Sequence, residues 1–227
     1  HDAAKEHTSS DPIVAIGYAA LDACTDGYAN TAVGTNALTN NVSGYRNVAV
    51  GEAALISTTS SYNTGVGYGA LQGANTAAAI TAFGAKALNS QTSGAHNTAV
   101  GAYALDACTE GHSNTALGYD ALTSVTTGDK NTAVGRIALT SCVGTGNTAV
   151  GERALTALTD GTYNTMVGEG AGATTTSAFY STAIGYNALG GGSTSGSTNT
   201  AVGREAGNSV TSGHYNVFVG SHAGDGV

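Results

Sequence analysis

Apolar residues fall along this chain at a fixed step. A large apolar residue followed at once by glycine recurs from Ile16-Gly17 and Val33-Gly34 through Val202-Gly203 and Val219-Gly220, with a spacing of 17 residues that slips to 16 or 18. Two positions before the apolar residue stands Thr or Val, and between them a small residue, nearly always Ala. Three positions after the Gly an Ala recurs, followed in ten repeats by Leu. The Thr-Ala-Val alternation of β-branched and small residues predicts a short strand that the Gly ends. Between Leu and the next strand lie polar stretches such as TNNVSGYR and TSVTTGDK, which suggest a second short strand and a second turn. A period this short predicts stacked coils, because one such unit cannot bury a core alone. The expected fold is all-β: a single-stack parallel β-solenoid, or β-roll, of about thirteen 17-residue coils with two short strands each. At about 4.8 Å per coil the stack would be a rod about 60 Å long. Residues 1–12 read as a polar N-terminal extension and 13–227 as the solenoid domain.

The columns suggest which way each side chain faces. The Thr/Val and Val columns, confined to strand-favouring residues, are expected to point inward. The small residues between them then lie outside, and their restriction to Ala marks Ala15, Ala32, Ala49, Ala99, Ala116, Ala133 and Ala149 as a face on which another subunit packs. An Asn column before the strand, from Asn30 and Asn47 to Asn216, is expected to bond along the stack and satisfy corner backbone groups. The Leu column gives way to Gly172, Gly207 and Gly224 late in the chain, while Met166 and Phe218 replace Ala and could fill space in their own coils. Nothing in the pattern explains Gly207.

Composition narrows the function. Charged residues make up 10% of the chain, against about 25% in ordinary domains, and small residues dominate, as in repeat fibres. The registered Val, Ile and Leu argue against disorder. A net charge of −8 with no basic cluster gives no footprint for nucleic acid. No apolar run is long enough to insert in a membrane. Cys24, Cys108 and Cys142 each lie three residues after a repeat Leu, in one ladder whose spacing exceeds disulfide reach, so they are expected to be free thiols. The histidines, His1, His7, His96, His112, His214 and His222, form no metal-binding spacing, and no nucleophile elbow or phosphate loop is present. The chain is therefore expected to be no enzyme and to need no cofactor or metal. Tyrosines concentrate at corners: Tyr18, Tyr68, Tyr119 and Tyr186 follow the strand-closing Gly, and Tyr45 flanks the Asn corner. These five are the candidate surface contacts, suited to glycan, to protein or to lateral packing. Asn41-Val42-Ser43 is the one N-glycosylation triplet.

Units such as GTNALTNNVSGYRNVAVG and GYDALTSVTTGDKNTAVG resemble the head repeats of trimeric autotransporter adhesins and similar repeats of bacteriophage tail fibres. The resemblance covers Ile13 through Val227 and implies a left-handed parallel β-roll, commonly a homotrimer, displayed outside a cell or on a virion. The expected function is an extracellular structural fibre or filament subunit that self-associates as a homotrimer or head-to-tail polymer. A receptor-binding adhesin or tail-fibre module, with a cell-surface glycan or protein as partner, is the alternative. Ice binding through the Thr columns is weaker, because on this reading the Thr side chains face inward.

Overall fold

The structure is a computed structural model that describes residues 3–7, 12–192 and 195–225. Among them the regular structure is thirteen three-residue strands, one to each repeat, and no helix. The backbone forms two compact units, His1–Ser113 and Asn114–Val227. The first carries β1 (Val14–Ile16) to β6 (Thr98–Val100) and the second β7 (Thr115–Leu117) to β13 (Val217–Val219). Within each unit consecutive strands pair in parallel and in register, so Val33 lies beside Val50 and Val50 beside Val66, and Thr148 beside Thr165. Each unit is a parallel β-solenoid.

Glycine closes each strand for a steric reason. Gly34 has φ +137°, and a Cβ there would sit 2.5 Å from the Gly51 carbonyl oxygen one coil on. Only a residue without a side chain permits that φ and that approach.

Among the described residues the far side of the coil holds no second strand. It does hydrogen-bond from coil to coil: Asn36 N–H donates back to the Tyr18 carbonyl at 2.9 Å, and Leu38 N–H donates forward to the Ala54 carbonyl at 3.0 Å. Alternate residues there are left-handed, as in Asn36 at φ 57° and Leu38 at φ 53°. That alternation sends alternate amides back and forward along the stack without an extended backbone, while the Ala37 N–H between them donates to the Gly34 carbonyl of its own coil at 3.3 Å. It also separates the apolar residues by type. The ten repeat Leu residues all have φ between 51° and 54°, a conformation unfavourable to β-branched side chains, and no Val or Ile stands in the Leu column, although Ile137 adopts φ 51° two residues before Leu139.

The strand faces opposite to the expectation. Ala32, Ala49, Ala99, Ala116, Ala133 and Ala149 are fully buried inside their own coils, and Ala15 is partly buried. The Thr and Val on either side point out, with Ile16 60% and Phe83 52% exposed. Room inside explains the inversion. A Cβ built on Gly65, which takes the Ala place, collides with Leu55 Cδ1, so the Leu column fills the lumen and leaves the strand wall space for a methyl group. The Ala column is core and not an association face.

Beside Leu and Ala the core contains two further columns. The Asn column bonds as the sequence suggests: Asn131 Oδ1 accepts the Asn147 N–H at 2.9 Å, and Asn131 Nδ2 donates to the Gly144 carbonyl at 2.8 Å. Even where Ile80 replaces Asn, its N–H still donates to Asn63 Oδ1 at 3.1 Å. The other column is chemically mixed, with Cys24, Asn41, Thr58, Gln91, Cys108, Val125, Cys142 and Leu158 fully buried in it. The late glycines are answered by inward side chains. Met166 Cγ and Sδ lie 3.2 and 3.3 Å from where a Gly172 Cβ would be, and Phe218 Cδ2 lies 2.9 Å from that point at Gly207 and contacts the same point at Gly224. One Met thus replaces one Leu, and the larger Phe218 accounts for glycines on both sides, Gly207 included.

The coil pattern begins before Ile13. Ala4 N–H donates to the Ala20 carbonyl at 2.8 Å, as Leu21 N–H does to Ala37 at 3.0 Å, so residues 3–7 lie on the first full coil as part of a preceding one.

Candidate functional site

The most regular chemistry this fold displays is in columns. The strand face of each unit presents two outward files, one mostly Thr and one of Val, Ile, Phe and Leu. No charged residue stands in either file. Their exposure follows from the wall geometry above, since the methyl-sized slot inside leaves both larger neighbours to the solvent. The sequence held a signal for it that the alternation concealed. A slot that accepts Val, Ile, Leu117 and Phe83 has open space beyond it, whereas the Ala slot admits Met166 and Phe218 only beside a glycine.

The candidate tyrosines fall into two groups. Tyr18, Tyr68, Tyr119 and Tyr186 all follow the strand-closing Gly and are 64%, 54%, 51% and 47% exposed, on the left-handed side of the coil rather than the strand face. Tyr45 belongs to a ring ladder at the Asn corner: it stacks on Tyr28 at 4.8 Å and 3° and meets Tyr62 edge-on at 5.2 Å. Arg46 Nη1 donates to the Tyr62 hydroxyl at 2.8 Å, and its guanidinium lies over the Tyr62 ring at 5.5 Å. The hydrogen bond to Tyr62 holds the Tyr45 phenol above its ordinary pKa. A second ladder, Tyr163 on Tyr180 at 5.5 Å, lies in the other unit. Such offset ring pairs add about 1 kcal/mol each beyond area burial.

The cysteines are free and buried. Burial pushes the Cys24 thiol up and the Cys142 thiol up to about 11, which makes both poor nucleophiles. His7 Nδ1 lies 3.8 Å from Cys24 Sγ. His112 Nδ1 accepts the Ala95 N–H and His214 Nδ1 the Ser197 N–H, each at 3.0 Å, so these corner histidines tie coils together. His1 lies outside the described residues. Among the described residues no group of three or more His, Cys, Asp or Glu is placed to hold a metal ion, and no helix is long and apolar enough to cross a membrane. Asn41 is fully buried and its amide donates to the Thr58 carbonyl at 3.1 Å, so its triplet is no glycosylation site in the folded chain.

Comparison with protein-family models, with curated proteins and with solved structures returns no match for this chain.

Proposed function

We propose that the chain is a non-catalytic subunit of an extracellular structural fibre, on a cell or virion surface, and that copies associate through the outward Thr and Val files. The uncharged, β-branched strand face carries this reading. Its features recur once per coil, at about 4.8 Å, so a partner can match it over many coils only by having the same period. A second copy of this chain has that period, and its face is equally free of charge. The small-residue composition and the resemblance to adhesin-head and tail-fibre repeats also support a displayed fibre.

Sedimentation and electron microscopy of the purified chain test the proposal. Oligomers or filaments are expected at micromolar concentration. Phe83→Lys and Leu117→Lys place charge on side chains that are 52% and 46% exposed in the single chain, so they should shift the material toward monomers while the circular dichroism stays unchanged. A wild-type chain that remains a folded monomer would overturn the proposal.

The outward Thr file favours one second reading. The objection to ice binding was that Thr points inside, and Thr31, Thr64 and Thr98 instead lie on the outer face with part of their surface open. Thermal hysteresis in the wild-type chain that Thr64→Lys abolishes would support this reading over self-association.

A further inference from the structure

We propose that the second unit carries a sugar-binding site, a furrow of about 270 Å³ beside Tyr186 that takes a neutral hexopyranose. Glycines make the furrow: Gly170 and Gly190 contribute no side chains, and Arg153, Glu169, Tyr186 and Asn187 stand around them.

Charge distinguishes this place from its surroundings. Nearby, Arg136 pairs with Glu152, the residue before Arg153, and Arg204 pairs with Glu205. Arg153 and Glu169, in the furrow, join no ion pair with any described residue. A fixed donor fork, a carboxylate acceptor, an amide that does both and one open aromatic face are the groups a pyranose needs. Its hydroxyls bond to Arg153, Glu169 and Asn187, while its C–H face lies on Tyr186. The opposite charges of Arg153 and Glu169 offset each other, so the furrow has no net attraction for an acidic sugar and the neutral class is preferred.

The first unit brings together the same three kinds of group. A groove of about 180 Å³ is lined by Tyr18, Lys5 and Asp22, with its tyrosine again directly after a strand-closing glycine and with a cation and an acid that form no ion pair. Only the tyrosine keeps its coil position: Asp22 stands five residues after Gly17, whereas Glu169 and Arg153 stand one and two residues after their own strand-closing glycines. This site lies off the strand face and does not depend on self-association, so either proposal can fail alone.

Saturation-transfer NMR on the full chain tests it, with methyl glycosides of glucose, galactose and mannose as probes and glucuronic acid as the acidic control. A Tyr18→Ala background silences the first groove. In that background at least one neutral glycoside should receive saturation at its ring protons with millimolar affinity, Tyr186→Ala should weaken binding about tenfold, and Tyr186→Phe should retain it. Glu169→Gln should weaken the neutral sugar and raise binding of the acid. All these side chains are at least partly exposed, so a folded variant is expected in each case. No transfer to any neutral glycoside, transfer undiminished by Tyr186→Ala, or a preference for the acid in the Glu169 chain would each overturn the proposal.

Discussion

At the scale of single residues, the interior is unusual in how much polarity it accepts. As far as Asn199 the Asn column is served by the backbone of the next coil, so each such amide contributes about 1 kcal/mol where an unpaired group would cost more. The mixed column is less well served. Thr58 is fully buried, and its Oγ1 has no hydrogen-bond partner. The same column holds Val125 elsewhere, also fully buried, so the slot accommodates a second methyl in place of the hydroxyl. Thr58→Val should therefore raise unfolding stability by about 1 kcal/mol, read as a higher urea midpoint at unchanged slope. Cys142 makes a different contribution, one that depends on pH. Its thiol holds its proton up to about 11 in the folded chain, against an ordinary value of 9.0. Between those two values the unfolded chain loses its proton first, so stability is full below pH 9 and falls as pH rises toward 11, by up to about 2 kcal/mol. Urea midpoints at pH 8 and pH 11 should fall further for the wild-type chain than for Cys142→Val, and equal losses in the two would show that the thiol adds nothing.

At the scale of the coil, the strand and its opposing Leu are one packing unit. The period and register of that unit could be read from the sequence, because each apolar-Gly step is marked by a residue that only one backbone conformation explains. Its facing could not. A three-residue alternation states that Thr and Val share a side but not which side, and the β-branched residues suggested core. Volume decides instead, as Leu55 against Gly65 makes plain. The absent second strand was equally hidden, since left-handed Leu has no sequence signature beyond the exclusion of Val and Ile from its column. Volume also makes a quantitative prediction. Met166→Ala should leave a void beside Gly172 and cost about 3 kcal/mol. Gly172→Leu alone should clash, because even its Cβ would meet Leu155 Cδ2 at 3.1 Å and Met166 Cγ at 3.2 Å. Together the two changes restore the Ala and Leu of the other coils, at a φ that Leu adopts throughout. The double variant should recover most of the stability, with a coupling of about 2 kcal/mol or more in a double-mutant cycle of urea midpoints. Simple additivity would mean that Met166 does not occupy the missing Leu's space.

At the scale of the whole chain, coil-to-coil bonding makes stability a sum of neighbouring interfaces rather than a property of one centre. The asparagine ladder shows why a coil with the usual Asn, Ala and Leu can be removed. Asn147 accepts from Asn164 in the same way as Asn131 accepts from Asn147, and neither depends on its position in the chain. The phase of the repeat matters, and its number does not. Excising residues 135–150 removes one complete coil and joins Val134 to Gly151, the same Val-Gly step that Val150 makes now. Asn131 then meets Asn164, Val125 meets Leu158, and every column stays in register. The shortened chain should keep its circular dichroism spectrum and unfold within a few degrees of the parent. Removing residues 135–142 takes half a coil instead and sets the Ala and Leu columns against the polar corner. That deletion is half the size of the first and should nevertheless abolish cooperative unfolding. The reverse order of damage would mean that the chain is held together by something other than vertical registry of like residues.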